Sequence, residues 1–85
     1  MNQLQHLLIK LAEEGSEIAQ IALKVSQFGT DGIAPNQPLT NLQLCHQELD
    51  DILAIVEMLN DRYQFNYSPN RENIEIKKSK VPKIS

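Results

Sequence analysis

Apolar residues recur at helical spacing along two stretches of this chain, and in both the apolar stripe is interrupted by acids. At about 100° per residue, Leu4, Leu7, Leu8, Leu11, Ile18, Ile21, Ala22, Val25 and Phe28 fall on one arc. That spacing predicts an amphipathic helix from roughly Asn2 to Phe28. Leu42, Cys45, Leu49, Ile52, Leu53, Val56, Leu59 and Tyr63 gather in the same way, predicting a second helix from roughly Asn41 to Tyr63. Between them Gly32, Pro35 and Pro38, with Asp31 and Asn36, supply turn chemistry without a period, so a loop is expected over 29–40. Gly29 offers a left-handed close to the first helix, and Thr40 or Asn41 a cap for the second. A third short helical segment is expected over about 69–81, with Ser68-Pro69 as cap and first-turn proline and Pro82 as its stop.

The acids are out of place on this pattern. Glu14 projects inside the first apolar arc, Glu17 lies at its edge, and Glu13 sits further toward solvent. Glu48 projects inside the second arc and Asp51 at its margin, while Asp50 points away. Residues three apart share a helix face about one turn apart, so each helix offers two carboxylates to its neighbour and four would meet. Desolvating that much like charge is costly unless protons or metal ions neutralise it. Clustered hard oxygen donors suit Mg²⁺ or Mn²⁺ rather than Zn²⁺.

Size changes this picture next. A chain of 85 residues is at most one domain, and two helices with one apolar face each bury little core alone. The expected fold is all-α: a two-helix hairpin plus a short C-terminal helix, pairing with a copy of itself into a four-helix bundle. Residues 1–70 hold three cations against nine acids, a balance of −6, whereas residues 71–85 hold five against two, a balance of +3. An acidic bundle with a basic tail has a place for metal and a place for phosphate. Nucleic-acid binding is disfavoured by the net charge of −3 and by the lack of a recognition module. Cys45 is the sole cysteine, which excludes an intrachain disulfide and is read as a small buried hydrophobe. No apolar run reaches the length of a membrane span, and Met-Asn-Gln-Leu-Gln-His lacks the pattern of a secretory leader, so a cytoplasmic protein is expected. His6 and His46 are read as surface residues. Phe28, Tyr63, Phe65 and Tyr67 are read as core or interface residues rather than base-stacking platforms.

Glu13-Glu14-x-x-Glu17 followed by Glu48-x-x-Asp51 resembles the paired motifs of the all-alpha nucleoside triphosphate pyrophosphohydrolases, the MazG-like superfamily that includes dimeric dUTPases. Leu11 to Gln20 looks like the first motif helix, Phe28-Gly29 is similar to its end in short phage and bacterial members, Gln47 to Ala54 looks like the second, and Ile76 to Val81 resembles the basic segment that follows. The resemblance covers about Leu7 to Val81. Asp50 departs from it, since the family often has Gly there.

The resemblance implies Mg²⁺-dependent hydrolysis of a nucleoside triphosphate, or a relative of one, between the α and β phosphates, giving the monophosphate and pyrophosphate. It assigns Glu14, Glu17, Glu48 and Asp51 as metal ligands, with Glu13 as an outer ligand or a group orienting the attacking water. Glu13 and Glu48 are thus the catalytic candidates. Lys77, Lys78 and Lys80 become phosphate clamps, reaching across a homodimer or a dimer of dimers. Two other classes fit the same residues: a module that binds a nucleotide without cleaving it, and a structural helical dimer or adaptor whose acids are merely solvated.

Overall fold

The structure, a computed structural model, describes residues 2–33 and 35–82. Ala34 of the connecting loop and Lys83 of the basic tail fall outside them. Three helices follow in chain order: α1 (Gln3–Phe28), α2 (Asn41–Tyr63) and α3 (Arg71–Lys80).

Each long helix begins with a reciprocal cap. The Asn2 side chain accepts from the Gln5 N–H at 2.8 Å, while Gln5 Oε1 accepts from the Asn2 N–H at 3.0 Å. Thr40 and Gln43 repeat the arrangement at 3.1 and 2.9 Å. Two otherwise unpartnered backbone donors are satisfied at each start, which fixes where the apolar periodicity becomes helix. The end of α1 differs from expectation. Gly29 has φ 82 but ψ 168, a positive-φ conformation open to glycine that lies outside the left-handed helical region, and its N–H reaches Val25 O at 2.9 Å. The left-handed cap belongs instead to Gln64, at φ 54 and ψ 38.

Both ends of the hairpin are tied. At the loop end the Asn41 N–H donates to Gly32 O at 2.7 Å and the Leu42 N–H to Thr30 O at 3.1 Å. A Cβ on Gly32 would stand 2.6 Å from Asn41 Nδ2, so this approach requires glycine. At the open end Tyr63 Oη donates to Gln3 Oε1 at 3.2 Å.

Between the ties, Leu7, Ile21 and Leu59 are the buried apolar residues among those described, Leu59 with 0% exposure. Burying such a side chain stabilises by about 1.5–3 kcal/mol, so this is a thin core. The molecule measures 39 × 37 × 17 Å with a radius of gyration of 15.7 Å, against about 12 Å for a compact domain of this length. It is one layer of helices. Leu42, Leu49 and Leu53, spaced at seven and four residues on α2, remain exposed, and Cys45 is half-buried.

After α2 the chain turns back through Gln64 and Asn66, both at positive φ. The Asn60 amide pins this turn, donating to Tyr67 O and accepting from the Tyr67 N–H, each at 2.9 Å. The cap of α3 is Asn70, which accepts from the Asn73 N–H at 3.0 Å; the expected Ser68-Pro69 start is displaced by two residues. Asn70 supplies the side-chain oxygen that accepts a free N–H of the first turn. Among the described residues α3 packs against neither hairpin helix.

Candidate metal centre

Glu14 and Glu17 lie midway along α1, and Glu48 faces them from α2. One carboxylate oxygen from each falls within 4.8 Å of the other two. Glu14 and Glu48 are half-buried and Glu17 is exposed, so the trio opens to solvent on the Glu17 side. Glu14 Oε2 and Glu48 Oε2 are both buried with no hydrogen-bond partner. Buried polar atoms are rarely left unpaired, and two carboxylate oxygens in that state mark a place that lacks positive charge.

The electrostatics follow from this placement. Burial, reinforced by the adjoining carboxylates of Glu14 and Glu17, pushes the Glu48 carboxyl from its ordinary 4.5 up to about 7. A proton on Glu48 is one way of relieving the repulsion; a divalent cation is the other. Carboxylate oxygens are the donor type that hard divalent cations take, so these three residues could hold one after a small inward adjustment.

No protein-family model, curated protein or solved structure matches the chain.

Of the residues singled out from sequence, three of the four expected ligands therefore come together. Asp51 does not join them: it is exposed, three residues along α2 from Glu48. Glu13 is also exposed and pairs with Lys10 at 3.2 Å. The tail cations stay apart from the acids, because α3 does not touch the hairpin; Lys78 pairs with Glu75 at 3.2 Å within its own helix. His6 and His46 are exposed as expected. Phe28, expected to pack, is 70% exposed.

Lys24 was missed. A cavity of about 180 Å³ beside the acids is lined by Glu17, Gln20, Lys24 and Glu48, with Ile21 and Leu44 as its apolar floor. The signal was present in the spacing, since Lys24 lies seven residues from Glu17 and so on the same helix face.

Proposed function

We propose that this chain is a Mg²⁺-dependent nucleotide pyrophosphohydrolase that cleaves a nucleoside triphosphate, or a related nucleotide, between its α and β phosphates. The observation that carries this reading is the pair of buried, unpartnered carboxylate oxygens on Glu14 and Glu48, set beside a solvent-open cavity. Glu14, Glu17 and Glu48 would hold the cation, and Asp51 would join them by turning its exposed side chain inward. Bound there, a divalent ion supplies charge neutralisation for the polyphosphate and acidifies a water. In the overall reaction water adds to the α-phosphorus, the bond to the bridging oxygen breaks with its electron pair leaving on pyrophosphate, and the water's proton passes to a carboxylate or to solvent. Glu13, exposed and next to Glu14 in sequence, would be an outer ligand or orient that water.

A second copy of the chain completes the fold in this reading. The hairpin has a thin core, and the exposed Leu42, Leu49 and Leu53 strip of α2 is suited to helix–helix packing in a four-helix bundle. In such a homodimer, or dimer of dimers, Lys77, Lys78 and Lys80 of one protomer would approach phosphates held by its partner.

The test is incubation of the purified chain with a panel of nucleoside triphosphates, with Mg²⁺ and with EDTA, resolving products by chromatography. Monophosphate and pyrophosphate appearing only with Mg²⁺ is the expected result. The Glu48→Gln variant keeps its helices by circular dichroism and loses Mg²⁺ affinity by about 100-fold or more, since even outer partners of a metal ligand are worth about 10–100-fold. Nucleotides recovered intact, or full activity in Glu48→Gln, overturn the reading.

A further inference from the structure

Three cavities lie along the hairpin, and their lining residues follow a single strip on each helix. On α1 the strip runs His6, Lys10, Glu17, Gln20, Lys24, Phe28. On α2 it runs Asn41, Leu44, Glu48, Ile55, Met58, Arg62. Every step between these residues is three, four or seven, the spacing of one helix face, and Leu7 and Ile21, which also line the cavities, are the buried residues next to that strip. The cavities are therefore stations of one groove with the acids at its middle.

The two ends of the groove differ in chemistry. Beyond Glu14, a cavity of about 450 Å³ collects His6, Lys10 and Arg62. Lys10 is paired with the exposed Glu13 at 3.2 Å, a surface pair a phosphate can replace, and among the described residues Arg62 is in no ion pair. Beyond Glu17, a cavity of about 420 Å³ is walled by Phe28, Ile33 and Pro35, and Asn41 at its base is only 5% exposed. The Asn41 amide spends one hydrogen on Gly29 O at 3.5 Å, which leaves its carbonyl oxygen and second hydrogen to meet an edge of a ligand. Lys24 lines both this cavity and the acidic one, and it too is in no ion pair among the described residues. Lys10 and Lys24 stand seven residues to either side of Glu17, about 10 Å along the axis in each direction.

We propose that the groove binds its nucleotide in a fixed direction, with the terminal phosphates at His6, Lys10 and Arg62 and the nucleoside in the Phe28–Ile33–Asn41 cavity. This rests on the hydrolase reading above and adds to it the polarity of the substrate. Lys24 bridges the two parts by holding the phosphate nearest the sugar, and Asn41 is the residue that reads the base. The apolar, sequence-distant walls contributed by Ile33 and Pro35 make the loop a specificity element rather than a plain connector.

The experiment is a set of titrations of ¹⁵N-labelled full chain, followed by amide chemical shifts, with Mg²⁺ alone and then with nucleoside 5′-monophosphates of each base or with inorganic pyrophosphate. Monophosphates are expected to shift Phe28, Gly32, Ile33 and Asn41, with one base favoured, and pyrophosphate to shift His6, Lys10 and Arg62. Lys24→Gln weakens monophosphate binding by about tenfold or more and leaves pyrophosphate binding unchanged; Arg62→Gln does the reverse. Both positions are solvent-exposed, so neither change is expected to unfold the hairpin. Both ligands shifting the same end, the ends responding in the opposite sense, or neither end responding overturns the proposal. Mg²⁺ alone reports separately on Glu14, Glu17 and Glu48: no shift there removes the hydrolase reading itself, whereas shifts there with silent ends remove only the directional groove.

Discussion

The α1–α2 hairpin and α3 are both helical, yet they are held by different forces. The hairpin is stabilised across its length by contacts between α1 and α2, with Leu59 fully buried and ties at both ends. Helix α3 is held by its own neighbours: the Asn70 cap, and Glu75 paired to Arg71 at i,i+4 and to Lys78 at i,i+3. Its 10 residues are fewer than the roughly 12–15 below which an isolated helix is marginal in water. The contrast separates a part that can position chemistry from a part that awaits a surface to lean on. Helix α3 is also basic where the hairpin is acidic.

The sharpest way to break this contrast is Leu59→Ala. Removing a fully buried leucine side chain costs about 2–5 kcal/mol, and thermal denaturation followed by circular dichroism should register a large drop in hairpin stability. Ile74→Ala on α3 should stay within about 0.5 kcal/mol, as expected on a helix that packs against neither hairpin helix. Equal effects from the two would mean that α3 packs in solution.

A graded change follows from pH. The folded state holds the Glu48 proton more tightly than the unfolded chain does, because its carboxyl titrates near 7 rather than 4.5. Between those values the folded form binds more protons, so the contribution of Glu48 to metal-free stability is complete below about 4.5 and is lost as pH rises through about 7. Mg²⁺ must displace that proton, so its affinity should rise over the same interval. Denaturation with EDTA across pH 4 to 8 checks the first statement and calorimetric Mg²⁺ titration the second; Glu48→Gln should flatten both.

Asn60→Ala probes the joint between the two regions. It removes both hydrogen bonds to Tyr67, at a cost of about 1–2 kcal/mol, and should raise amide exchange from Gln64 to Tyr67 while leaving the middle of the hairpin protected. The smallest effect belongs to Glu75→Gln, which deletes two exposed pairs in α3 worth a few tenths of a kcal/mol each. Helical content at Arg71–Lys80 should fall slightly, and more at low salt than at high, with no change in hairpin melting.

Much of the hairpin was legible in sequence because periodicity reports which residues share a face. It located α1 and α2 to within a residue at either end and brought Glu14, Glu17 and Glu48 to a common side. Periodicity says nothing of the axial offset between two helices, and that offset decides which carboxylates meet; Asp51, at the margin of its arc, is exposed and outside the trio. The α3 start was misjudged because a proline was credited with opening the helix, while Asn70 offered the better acceptor two residues on. Lys24, Lys10 and Arg62 were visible only as entries in the net charge. Their meaning depends on the groove, and the groove exists only once both helices are set side by side.

The two ties of the hairpin have a mechanical consequence. Tyr63 and Gln3 pin one end and the Gly32–Asn41 contact pins the other, while the load, carboxylate repulsion, sits at mid-span. A beam held in this way does not open when its load changes sign; it stiffens or bows at the centre. A cation held there would change the tension across Glu14 and Glu48 without parting the helices.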